Sequence, residues 1–236
     1  MRLAGVLTLL LSGMMAAQGG SITIQKLNGE VAVRHGVTEE WTTVAAGDAL
    51  RPYDSMRTGK NGSATLLVQE GAAGAVRRLA LPADVIVDMS DVRELTQEEL
   101  MLKLTMQKVR ATPEQERNGG PQISNAAVMH GTDAGRTGAM AENDPQVGRS
   151  LLNGAKVLLE NGFSASAVLR TMEVFRLFPS LAGIVDNRLV LAGALEKANL
   201  QGEAVTEYHA IRQMSGLTQS QAAVVNARIE ALRRNR

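Results

Sequence analysis

Two hydrophobic periods divide the chain. From Ser21 to about Ser90 the apolar positions recur every second residue over short runs. Ile22 and Ile24 alternate with Thr23 and Gln25, and Val31 and Val33 alternate with Ala32 and Arg34. That is the spacing of strands with one face buried. Trp41 to Val44, Ser63 to Gln69, Val76 to Leu81 and Asp84 to Asp88 are further candidates, rich in β-branched residues. Asn28-Gly29, Gly47-Asp48, Lys60-Asn61-Gly62 and Glu70-Gly71 separate them, and many short strands cut by such turns predict an antiparallel sandwich or roll.

After Ser90 the period lengthens. Thr96 followed by Glu99 has the spacing of a capping box, with Leu95 and Leu100 placed as a hydrophobic staple, and predicts a helix through about Arg110. Leu100 and Leu104 form one apolar row of this helix; Leu102, Met106 and Val109 form a second. Methionine at helical spacing is expected in a core, and a partner groove is the other reading. Residues 111–147, rich in Gly and Pro and almost without apolar period, read as a flexible linker. From Gly148 onward the pattern is helical. At an offset of 37 residues Ala155 aligns with Ala192, Leu158 with Leu195, Ala167 with Ala204 and Val174 with Ile211, which suggests an internal repeat of helical hairpins. Thr218 opens a last helix carrying Ala222, Val225, Ile229 and Leu232. The expected fold class is therefore α+β with two domains: an all-β sandwich or roll with a trailing helix over 21–110, the linker, and a helical array over 148–236.

The first residues modify the placement. Met1-Arg2, the apolar run Leu3 to Leu11 and the small residues up to Ala17 form a secretory signal pattern, 1–17, with cleavage expected after Ala17. The apolar run is shorter than the ~20 residues a spanning helix needs. The expectation is a periplasmic or secreted protein without stable membrane insertion. Lys plus Arg number 25 against 24 Asp plus Glu, so no charge bias draws the chain to nucleic acid. Cysteine is absent, which removes disulfides, thiolate metal sites and cysteine nucleophiles.

The stretch from Gly47 to Gly62 is the densest run of turn formers in the strand-forming part. Gly47 and Gly59 suit positive φ, Asp48 and Asp54 can accept backbone N–H groups, Arg57 can pair with one of those carboxylates and Thr58 can reach a turn carbonyl. These residues, with Gly62, read as scaffold. Together with Asn28-Gly29-Glu30-Val31-Ala32-Val33-Arg34, Trp41 and Val44, the segment Gly47-Asp48-Ala49-Leu50 followed by Asp54 to Ala64 resembles a FecR-type domain. Ala126 to Thr132 is similar to that family's Arg-Gly-Thr strand, with His130 in place of the Arg. The resemblance implies an extracytoplasmic β module. Leu191, Leu195, Ala204, Tyr208 and Ile211, and in the first copy Leu151, Gly154, Ala155, Leu158, Ala167 and Pro179, are similar to tetratricopeptide repeats, with Thr171 where an aromatic is usual. That likeness implies a partner-binding array, and so short an array suggests a homo-oligomer through the helical domain.

The sequence carries no catalytic signature. His35, His130 and His209 lack a second ligand at metal spacing, and no nucleophile elbow, phosphate loop or dinucleotide fingerprint is present. No catalytic residue, metal ligand or cofactor is assigned. The expected role is a non-enzymatic interaction or scaffold protein of the bacterial cell envelope that binds envelope proteins. The alternatives are a cell-wall polymer or ligand-binding module, for which only Trp41 and Tyr53 are available aromatics in the β part, or a soluble component of an envelope signalling system.

Overall fold

The computed structural model describes residues 20–69, 74–111 and 144–234. Its N-terminal part holds eight strands, β1 (Ser21–Asn28), β2 (Val31–Arg34), β3 (Thr42–Thr43), β4 (Ala49–Leu50), β5 (Ser55–Thr58), β6 (Ser63–Gln69), β7 (Val76–Leu81) and β8 (Ile86–Asp88). They form two antiparallel four-stranded sheets, ordered β4-β1-β6-β7 and β3-β2-β5-β8. Seven helices follow: α1 (Gln97–Ala111), α2 (Pro145–Glu160), α3 (Ser164–Leu177), α4 (Pro179–Ala182), α5 (Val185–Lys197), α6 (Gln201–Arg212) and α7 (Gln219–Arg234). The fold is α+β. Residues 126–132 lie outside the described residues.

The chain changes sheet after β1, β3, β4, β5 and β7, and the crossings after β1 and β5 lie against each other. Glu30 O accepts the Gly59 N–H at 2.9 Å. A Cβ on Gly62 would stand 2.0 Å from Glu30 O, and one on Gly29 would stand 2.0 Å from Asn61 O. Two backbones this close admit only glycine. Gly47, at φ 97°, takes the left-handed conformation its turn suggested. Gly59 does not: it lies outside the left-handed region, and its constraint is the Glu30 side chain, whose Oε2 would be 2.5 Å from an added Cβ.

Inward side chains of both sheets, among them Ile24, Val33, Met56, Leu66 and Leu79, form a core that continues without a break into Leu100, Leu158, Phe163 and Val168 of the helical part. Sheet and helices are thus one packed body. α2 begins at Pro145, inside the stretch read as linker, with the Asp144 side chain accepting the Gln146 N–H at 2.8 Å. It lies along β8. Gly154 makes that approach possible, because a Cβ there would sit 2.0 Å from Ile86 O. Asn153 Nδ2 donates to Asp84 O at 3.1 Å.

α1 corrects two expectations. The Thr96 hydroxyl does cap it, accepting the Glu99 N–H at 3.2 Å, but the Glu99 carboxylate pairs with Arg93 instead of closing the capping box. Leu100 and Leu104 enter the core. The second row faces solvent, with Leu102 62% exposed and Met106 and Val109 each 51%. The cause is placement: α1 packs against α3 through its opposite side.

The helices α2, α3, α5, α6 and α7 pack each on the next, with the short α4 between α3 and α5. All eight residues of the offset alignment are buried, Ala155, Ala192, Ala167 and Ala204 completely. α7 buries Val225, Ile229 and Leu232 and turns a polar face outward. Among the described residues no helix is long and apolar enough to cross a membrane.

Candidate functional site at the junction of sheets and helices

The residues singled out in the sequence fall into three places. Gly47 and Asp48 lock the bulge in β1: Gly47 N–H donates to Ile24 O at 2.8 Å, and Asp48 Oδ2 accepts the Ala45 N–H at 2.8 Å. The register of β1 against β6 slips at this point, between Ile24 and Lys26. Asp54, buried, accepts the Arg51 N–H at 2.8 Å and lies 3.2 Å from His35 Nδ1. Arg57, Thr58, Gly59 and Gly62 gather at the double crossing. The Arg57 guanidinium reaches Glu30 at 3.7 Å, not Asp48 or Asp54, and stacks 4.8 Å from the Trp41 ring centre. Arg34 stacks on the same ring at 5.4 Å. Thr58 Oγ1 donates to Pro82 O at 2.6 Å and accepts the Val85 N–H at 3.0 Å, fixing the approach to β8. Backbone groups of the chain itself take up nearly all of this hydrogen bonding.

The polar chemistry that is not spent on turns lies elsewhere, where β8 meets α3. Arg170, 11% exposed, donates to Asp91 at 2.5 to 2.9 Å, to Glu173 at 2.9 Å and to Asp88. Asp88 also accepts from the Ser55 hydroxyl, which takes a hydrogen bond from Arg34 at 3.3 Å. A buried polar chain therefore runs from sheet to helix. Three carboxylates share one guanidinium. Burial pushes the Asp91 carboxyl above its ordinary value near 3.8; the attraction of Arg170 opposes this, and the repulsion of Asp88 and Glu173 adds to it. Burial alone would lower the Arg170 pKa, but Asp91, Asp88 and Glu173 raise it well above the usual range.

A cleft of about 150 Å³ opens over this cluster, lined by Asp88, Ser90, Asp91 and Arg93 on one side and by Lys103, Met106 and Gln107 of α1 with Leu169, Arg170 and Glu173 of α3 on the other. Gln107 Nε2 donates to Leu169 O at 3.1 Å, while its Oε1 is buried with no donor among the described residues. Sequence reasoning did not find this site. Arg170 is 79 and 82 residues from Asp91 and Asp88, so no local spacing marks it. The one available signal was the Met106 row.

The Ser55 hydroxyl is committed to Asp88. Among the described residues no group of three His, Asp or Glu side chains is arranged to hold a metal. In comparisons with protein-family models, curated proteins and solved structures, nothing matches the chain.

Proposed function

We propose that this chain is a non-enzymatic interaction or scaffold protein of the bacterial cell envelope, exported by its N-terminal signal, in which a FecR-like β module carries a short tetratricopeptide-like array that binds protein partners. One observation carries the reading: positions related by the 37-residue offset are buried in both copies, from Ala155 and Ala192 to Val174 and Ile211. Thr171 and Tyr208 stand in equivalent places and are both buried, so the small hydroxyl replaces the repeat aromatic without leaving the core. Stacked hairpins of this kind present surfaces suited to peptides and helices. Cell-wall polymer is the weaker reading, since Trp41 is engaged by Arg34 and Arg57 and offers little open ring for stacking on sugars.

The test is crosslinking in intact cells followed by fractionation and mass measurement of the recovered chain. Loss of residues 1–17, an envelope location and crosslinks to envelope proteins are expected. An intact N-terminus in the cytoplasm, or retention on purified wall material without any protein partner, would overturn the reading.

A further inference from the structure

We propose that Asn28 is a site of spontaneous covalent modification. The Gly29 nitrogen displaces the Asn28 side-chain amide and leaves aspartate or isoaspartate at the crossing between the two sheets, while the fold protects Asn61, Asn153 and Asn161 from the same reaction.

Five of the eleven asparagines, Asn28, Asn61, Asn118, Asn153 and Asn161, precede glycine, far more than 23 glycines in 236 residues would place there by chance. At such a pair no Cβ shields the following nitrogen, and the backbone turns freely enough for that nitrogen to reach the asparagine Cγ. The reaction needs only water. The glycine nitrogen gives up its proton and adds to Cγ; the bond from Cγ to the side-chain nitrogen breaks, and that nitrogen departs with the proton as ammonia. Water then opens the five-membered imide at either carbonyl. One opening gives aspartate on the original backbone, and the other gives isoaspartate, whose main chain runs through Cβ.

The step requires a glycine N–H free to lose its proton and an asparagine side chain free to swing onto it. Asn118 lies outside the described residues; the other four pairs differ sharply. The Gly62 N–H donates to Gly59 O at 2.9 Å, and Gly62 is buried against Glu30 O. Asn153 and Gly154 lie inside α2, where Asn153 Nδ2 donates to Asp84 O at 3.1 Å and Gly154 packs on Ile86 O. Asn161 Nδ2 donates to Val157 O at 2.8 Å, and the Gly162 N–H to Leu159 O at 3.4 Å. Asn28 has neither restraint. It is the last residue of β1, and both it and Gly29 are exposed. Among the described residues the Gly29 N–H has no backbone acceptor and the Asn28 side chain no hydrogen-bond partner. One ladder pair, Asn28 with Ser63, has to open for the attack, and the end of a strand opens more readily than a helix interior or a buried turn.

The position gives the reaction a structural effect. Gly29 sits so close to the opposite crossing that a Cβ on it would stand 2.0 Å from Asn61 O. Isoaspartate lengthens the main chain by one methylene immediately before this contact, so the two crossings no longer fit. Aspartate keeps the backbone and adds a charge at an exposed position. The two products therefore separate a loosened seam from a mere change of charge.

The experiment incubates the full chain at mildly alkaline pH, where the glycine nitrogen deprotonates more readily, once folded and once in urea. Peptide mass spectrometry follows each asparagine, and chromatography separates the aspartate and isoaspartate products. In the folded chain Asn28 is expected to convert about tenfold or more faster than Asn61, Asn153 and Asn161; in urea the four rates should converge. Asn28→Gln, whose longer side chain cannot close the five-membered ring, should abolish the fast conversion with the melting temperature unchanged. Asn28→Asp should melt like the unaltered chain, and chains aged to isoaspartate at position 28 should melt lower. Conversion of Asn28 in the folded chain no faster than that of the other three, a faster conversion at Asn61, or a fast phase that survives Asn28→Gln would each overturn the proposal. Equal melting of aged and fresh chains would overturn its effect on the crossing.

Discussion

At Gly62 any side chain would have to share space with a backbone carbonyl, and at Gly59 with an exposed glutamate side chain. The clash at Gly62 is 2.0 Å from Glu30 O, which neighbouring strands hold in place; that at Gly59 is chiefly with the Glu30 carboxylate, tethered only by its 3.7 Å pair with Arg57, and with the Glu30 Cβ at 3.0 Å. Gly62→Ala should therefore destabilise by about 2–3 kcal/mol and Gly59→Ala by less than about 1 kcal/mol, read as midpoints of urea unfolding. Equal losses would show that the crossing is not the constraint. Arg170 presents the opposite problem, a charge that cannot be removed cheaply. Arg170→Met leaves Asp88, Asp91 and Glu173 without their shared counter-ion and should cost about 3–5 kcal/mol near neutral pH. The pH dependence follows from the direction of the Asp91 shift. Its folded pKa lies above the unfolded value, so the folded chain holds that proton more tightly. The resulting stabilisation is complete below the ordinary value near 3.8 and is lost as pH rises through the folded pKa. Asp91→Asn should flatten this decline; a decline of unchanged slope in thermal melts across mildly acidic pH would refute the assignment.

Among the elements, α2 and β8 define the junction, and Gly154 is the residue that lets them touch. A Cβ at Gly154 would stand 2.0 Å from Ile86 O, so Gly154→Val should push the helix off the strand, lowering the melting temperature and exposing Arg170 to solvent. Faster hydrogen exchange at Ile86 and Val87 would report it; unchanged exchange would mean that the contact is not tight. Six strands were legible in the sequence because their evidence is local, as where Ile22 alternates with Ile24. By contrast, β4 and β5 lie inside the Gly47 to Gly62 stretch that read as turns, too short between its glycines to show a period. The start of α2 was missed: Asp144-Pro145 is an N-cap followed by proline at the first helical position, but its glycine-rich neighbours made it read as linker. The α1 rows show where such reasoning stops. Periodicity marks Leu102 and Met106 as sharing a face and is silent on which face meets the core. Arg170 is a stronger case, because its partners lie on a strand end and a turn that only the tertiary fold brings near.

The molecule as a whole should unfold as one unit. Apolar contacts run unbroken from Ile24 and Leu66 in the sheets through Leu100 and Leu158 to Ile211 and Ile229 in the helices, and the Arg170 cluster crosses the same boundary. Separate modules joined by a tether would bury separate cores and melt independently. With a shared core, loss of packing on either side weakens both. Leu66→Ala and Ile211→Ala, each removing a fully buried side chain, should each cost about 2–5 kcal/mol. Each should lower a single transition followed in parallel by near-ultraviolet circular dichroism and by calorimetry, with calorimetric and van't Hoff enthalpies in agreement. Two transitions, one moved by Leu66→Ala and the other by Ile211→Ala, would show that the sheets and helices are energetically independent.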